Sequence, residues 1–245
     1  MQQQLSTLQD FPYAEGRQAV KDSLRFADFA PFYADMVDHL PQNSPATRKR
    51  YASLVVRWFF PERQLGGLLP TIWQTYGDDQ LLHEVARVTT LETEPVIARF
   101  VTDVILPIPP GTSFSRELTR NYVTATYGAF KANSYQRLLT SVAILGFLRR
   151  NGSAWSVAAV PPPANALLIL LHARLAPTPR IIRLADLLAA PFWRYLGLRS
   201  EDDVRHILRD AAAAGLLARY TIVDQLEQIT TRYAYTDYLS QRLRL

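Results

Sequence analysis

The chain has no cysteine, which excludes disulfides, thiolate metal ligands and a cysteine nucleophile, and fits a cytoplasmic protein. Lysine is nearly missing as well. Lys21, Lys49 and Lys131 are its only occurrences among 27 basic residues, so the positive charge is almost all guanidinium. Arginine is the better reader of phosphates and base edges, although a GC-rich coding bias produces the same composition. The four histidines, His39, His83, His172 and His206, are scattered, with none three or four residues from another. Each reads as a surface or core-edge residue, because a metal site needs three or four convergent ligands. Neither a metal nor a cofactor is expected. No apolar run approaches the roughly 20 residues of a membrane span, Ala164 to Leu171 being the most apolar stretch. The opening MQQQLSTLQDFPYAEG has no basic region followed by an apolar one, so no secretory signal is expected.

Catalytic signatures are missing too. His83-Glu84 starts like a zinc-binding H-E-x-x-H, but position 87 is arginine. Neither G-x-x-x-x-G-K-[ST] nor G-x-G-x-x-G occurs, so no phosphate cradle is written locally. No lysine has glutamate two places before it, as a restriction-type nuclease would. The acidic pairs Asp78-Asp79, Glu92-x-Glu94 and Asp202-Asp203 read as helix-start acids rather than metal carboxylates. The expectation is a protein without catalytic activity.

What is present is a repeated pattern. Leu138, Leu139, Val142 and Leu145 recur at helical spacing, Gly146 supplies a left-handed stop, and Phe147-Leu148 restarts as a strand. Asn151-Gly152, a pair favoured in two-residue turns, sends the chain back through Trp155 and Val157. Sixty-nine residues later AAAGLLAR (212–219) repeats AILGFLRR (143–150), with His206-Ile207-Leu208 over Arg137-Leu138-Leu139 and Leu187 over Leu118. A helix, a glycine stop and a hairpin, written twice, predict two winged-helix-like units with short β-hairpins.

In chain order, 1–65 reads as an N-terminal helix-turn-helix bundle, 66–112 as connecting helices, 113–163 as the first winged unit and 164–245 as the second. The fold class is mainly α. Residues up to about Phe11 form a loose start. One amphipathic helix is expected from Gly16 to Phe32, with Leu24 and Ala27 inside, and Pro31 opens another to Leu40. Ser44 is the expected cap of a helix with Pro45 at its first position and Tyr51, Leu54, Val55 and Trp58 on its buried stripe. Its basic head makes a helix-turn-helix candidate, or else an ordinary solvated surface helix. Gly66-Gly67 and Pro70 mark a break. Helices follow at Asp78–Val88 and Pro95–Ile105, and PIPPG (107–111) is the clearest internal boundary. Ser113 or Ser115 caps a helix burying Leu118, Tyr122 and Val123. In the second unit the wing strands are expected at Leu216–Val223 and Ile229–Tyr235, with a short basic tail after them.

A net charge of +5 and a pI near 9.5 invite an anionic partner. The outward positions of the first repeat's Ser134 helix are Gln136, Arg137, Thr140 and Ser141, groups that can pair with base edges or phosphates. Arg116 and Arg120 lie on the helix before it, Tyr127, Lys131 and Tyr135 lie near, and Arg149 and Arg150 sit in the hairpin. Arg48, Lys49, Arg50 and Arg57 supply a second basic surface on the N-terminal helix. In the second repeat Arg205 and Arg209 are interleaved with Asp202, Asp203 and Asp210, a mixed-sign face better suited to protein.

Four stretches, SPATRKRYASLVVR (44–57), LLHEVARVTTLETEPV (81–96), Gly146-Phe147-Leu148 and AAAGLL (212–217), resemble the BrxA family of bacteriophage-exclusion (BREX) defence systems. The resemblance spans about Phe11 to Tyr238. It implies a small helical protein that contains winged helices, binds double-stranded DNA and acts in phage restriction beside the other subunits of the system, which carry the chemistry. Two alternatives stay open: a protein–protein adaptor, and a transcriptional repressor with one preferred site.

Overall fold

The computed structural model describes residues 11–128, 132–224 and 226–241. It is mainly helical, with two small three-stranded antiparallel sheets. The N-terminal part holds α1 (Tyr13–Ser23), α2 (Phe29–His39), α3 (Pro45–Phe59), α4 (Leu68–Tyr76) and α5 (Asp79–Thr93). Ser44 caps α3 by accepting the Thr47 N–H at 3.2 Å, with Pro45 in the first turn. Tyr51, Val55 and Trp58 are buried as spaced, and Leu54 is half-buried. Asp78 caps α5 in the same way, taking the N–H groups of Gln80 and Leu81. Buried on almost every side, α5 packs on α1, α3 and α4.

Two N-terminal expectations need correcting. The helix expected over Gly16–Phe32 is two helices, because α1 stops at Ser23 and α2 starts at Phe29. Leu24 and Ala27 lie in the exposed connection, and the turn lets Phe26 and Phe29 pack edge-on against Phe32. The break at Gly66-Gly67 is also short. Pro70 falls in the first turn of α4, where its missing N–H costs nothing.

The rest of the chain is one arrangement built twice. The first copy is α6 (Pro95–Phe100), β1 (Ser113–Phe114), α7 (Arg116–Tyr127), α8 (Ala132–Ile144), β2 (Leu148–Asn151) and β3 (Ala154–Val157). The second is α9 (Ala164–Leu170), β4 (Ile181–Arg183), α10 (Leu184–Ala189), α11 (Phe192–Tyr195), α12 (Glu201–Ala213), β5 (Leu217–Val223) and β6 (Leu226–Thr231), followed by α13 (Tyr235–Ser240). In each sheet the short first strand pairs with the returning arm of the hairpin, giving the orders β1-β3-β2 and β4-β6-β5. Both first helices end in a widened turn. Leu106 N–H reaches the Val101 carbonyl at 2.9 Å and Ala176 N–H the Leu171 carbonyl at 3.0 Å, each five residues back.

The glycine stops fall at matching places. Gly146 has φ +87° and Gly215 φ +75°. Phe147 N–H then bonds to the Val142 carbonyl and Leu216 N–H to the Ala211 carbonyl, the six-to-one closure of a helix that ends in a left-handed residue. Details of the expected pattern differ. The first hairpin pairs Asn151 with Ala154, so its turn is Gly152-Ser153, one residue later than read, with positive φ only at Gly152. The second return strand is Leu226–Thr231, earlier than the expected Ile229–Tyr235, and Tyr235 opens α13 instead of ending that strand. Ser115, not Ser113, caps α7, and Leu118 on it is 41% exposed.

One apolar core runs from Tyr13 to Leu239 through both copies. Arg87 of α5 is 2% exposed and ties them together. Its guanidinium donates to the Leu145 carbonyl at 3.3 Å and to the Leu196 carbonyl at 2.6 Å, the residues just before Gly146 and Gly197. Arg199 donates to the Ile108 carbonyl at 2.7 Å, and α13 packs on α4 and α9.

Candidate nucleic-acid interface

The first copy is where positive charge collects. Residues 113–163 hold six basic groups and one acid, Glu117. The sequence of α8 has no acidic residue at all. Helix α7 begins at Ser115, whose Oγ accepts the Glu117 N–H at 3.1 Å, and Tyr122 fixes it by donating to Asp103 at 3.1 Å. This sets Arg116, Arg120, Asn121 and Thr124 opposite Tyr135 along an open groove of about 680 Å³ between α7 and α8. Glu117 lies on the same groove.

Burial of Leu138, Leu139 and Val142 turns the opposite face of α8 outward. Gln136, Arg137 and Thr140 are exposed there, as spaced. Ser141 is a correction: it is 1% exposed, on the core side beside Val142. The Thr140 hydroxyl donates to the Gln136 carbonyl at 3.0 Å, leaving its lone pairs for a donor from outside. Lys131 lies outside the described residues.

The hairpin separates its two arginines, because neighbouring residues on a strand point to opposite faces. Arg150, opposite Trp155, lies over that ring and donates from Nε to the Gly152 carbonyl at 2.9 Å. Arg149, opposite Ser156, is on the other face of the sheet. Arg116 reaches from α7 to the Ser153 carbonyl at 3.3 Å. Arg116 and Arg150 thus brace the same turn, each spending one N–H and keeping several for a phosphate.

The basic residues of α3 form a separate surface on a helix that packs against α1, α2 and α5. Lys49 and Arg50 are exposed and Arg48 half-buried. Arg57 is committed elsewhere: it pairs with Glu94, whose carboxylate also takes the Trp58 indole N–H at 2.8 Å. Its place on the basic face is therefore corrected, since a phosphate would have to displace Glu94.

The second copy carries a different surface on the same frame. Ser200 and Asp203 form a reciprocal cap at the start of α12, and Glu201 and Asp202 fill its first turn. Arg205 lies among the carboxylates of Glu201, Asp202 and Glu227 at 3.0–3.1 Å. Glu227 is held below the ordinary carboxylate range first by its hydrogen bond from Tyr220 and then by Arg205, so it stays charged. Polyanion arriving here meets fixed negative charge. No protein-family model, curated protein or solved structure matches this chain.

Proposed function

We propose that this chain is a non-catalytic double-stranded-DNA-binding component of a bacterial phage-defence system of the BREX type, built on tandem winged helices. The first winged helix holds the duplex and the second faces other subunits. The observation that carries the reading is the partition of charge between two copies of one frame. One copy exposes Gln136, Arg137 and Thr140 on an acid-free α8 beside Arg116, Arg120 and Arg150. The other surrounds Arg205 with carboxylates. In this reading α8 lies along the major groove, while α7 and the hairpin hold the backbone on either side. Most of the affinity is phosphate contact, so binding is steeply salt-dependent and weakly sequence-specific. The defence context rests on the resemblance of the quoted stretches to BrxA.

The test is fluorescence anisotropy of a labelled random duplex over a salt series, with Arg116, Arg120, Arg137 and Arg150 replaced together by alanine. The parent should bind with a steep dependence of log K on log salt, and the variant should flatten that slope by about 3 to 4, near 0.9 per lost phosphate. A second variant, Arg48, Lys49 and Arg50 to alanine, weighs the α3 surface by the same reading. Should the first variant keep both affinity and slope, the α7–α8 groove is not the grip. A parent that leaves duplex unbound at low salt removes the reading itself.

A further inference from the structure

The second sheet has an uncovered face. Strand alternation and register put Ile182, Tyr220 and Ile229 toward α10 and α12, and turn their neighbours outward. On that outer side Ile181, Val223 and Leu226 are 62%, 61% and 43% exposed. Arg183 and Arg219 lie between them, with Thr221 and Gln228. Asp224, at the hairpin turn, borders the face. Such a surface fits an acidic partner with an apolar floor.

The chain carries that complement at its other end. A groove of about 510 Å³ runs between α1 and α2. Its floor is Ala19, Phe32, Met36 and Leu40, and its rim carries Glu15, Asp22 and Asp35. Asp22 pairs with Arg25 at 3.1 Å, and the three carboxylates of the rim outnumber that one guanidinium. The imbalance extends to the flanks. Residues 1–112 hold thirteen acidic against ten basic residues, and residues 164–245 eleven basic against eight acidic.

We propose that this protein self-associates head to tail, the outer face of the β4-β6-β5 sheet of one copy seating in the α1–α2 groove of the next. Arg183 and Arg219 meet Glu15, Asp22 and Asp35, while the exposed aliphatics cover the groove floor. Either surface against itself would set like charges together, which disfavours a two-fold dimer. A contact between two different surfaces leaves one of each unsatisfied, so association continues into chains or closes as a ring. Both patches are small, so the contact is weak in isolation and weakened further by salt. It needs no nucleic acid and does not depend on the DNA reading.

Sedimentation velocity of the full chain without DNA, over about a hundredfold range of concentration at low and at high salt, tests this. The parent should form a growing series of species at low salt that collapses at high salt. Asp22→Arg with Asp35→Arg, and separately Arg183→Glu with Arg219→Glu, should each stay monomeric. Mixed in equal amounts, they should associate again, because opposite charges now face each other, and that rescue also shows both variants folded. A parent monomeric at every concentration, association that survives in both variants, or a species that stops at a two-fold dimer would each overturn the proposal. A monomeric parent would leave the sheet face to another protein.

Discussion

His83 is a neutral group by design of its surroundings. Burial, then the charges of Arg87 and Arg17, push its pKa down to about 4, against a smaller opposing effect of its hydrogen bond to the Leu145 carbonyl. In the unfolded chain the same ring titrates near 6.5. Between those values the unfolded state holds a proton that the native state does not. Stability conferred by the neutral ring is therefore complete above about pH 6.5 and lost as pH falls toward 4, by up to about 3 kcal/mol. Buried His172, stacked on Tyr238 at 3.9 Å, is shifted the same way. Guanidinium unfolding at pH 7 and near pH 4.5 should show the loss, and His83→Gln should remove a large part of it. An unchanged loss in that variant would assign the acid sensitivity to other groups. At this scale the sequence was only half informative. Position 87 drew notice solely as the residue that breaks a zinc motif, and the partners of its guanidinium are carbonyls 58 and 109 residues away, which no local pattern announces. Ser141 misled for a similar reason. A hydroxyl reads as outward, yet it sits at the core edge of α8.

Helix ends were the most legible elements, because they are written in short-range chemistry. Ser44-Pro45, Asp78, Ser200 with Asp203, and the glycines after α8 and α12 all sit where local rules put them. The end of α1 was hidden. Leu24 to Asp28 contains no glycine or proline, and the break comes from the pull of Phe26 and Phe29 toward the Phe32 cluster. Two glycines at equivalent places in the repeat separate backbone strain from crowding. Gly128 has φ +78° with nothing within 4 Å of an added Cβ, whereas Gly197 has φ +93° and the same atom would fall 2.8 Å from Val160 Cγ1. Gly128→Ala should cost about 1 to 3 kcal/mol from the backbone alone, since φ +78° with ψ −154° is a conformation open essentially to glycine. Gly197→Ala should cost about 2 kcal/mol more as Val160 is forced aside. Thermal or chemical unfolding of the two variants reads the difference, and equal costs would mean that the Val160 contact yields freely.

Beside the shared core, long side chains tie distant parts of the molecule together. Arg87 fastens both copies to α5, and Arg199 reaches back to the turn before β1. Arg174 pairs with both carboxylate oxygens of Glu92, and α13 closes onto α4 and α9. With one apolar core throughout, the parent should melt in a single transition. Arg87→Ala leaves two carbonyls and a cavity behind, at a cost of about 3 kcal/mol or more. Calorimetry should find that transition lowered, and broadened or divided as the copies lose their common anchor. A variant that melts like the parent would show that the apolar contacts alone join them. The contrast between a basic first copy and a mixed-sign second copy was partly readable, since Asp202, Asp203 and Asp210 interrupt the second pattern in the sequence itself. The uncovered sheet face was not, because it depends on where β6 begins.

The offset of 69 residues brings Gln136, Arg137 and Thr140 of α8 over Arg205, His206 and Arg209 of α12. Two chassis of one pattern thus carry independent paintwork. Substitutions on either outward helix face leave the buried framework of its twin untouched, so the surface of one can change while that of the other stays fixed.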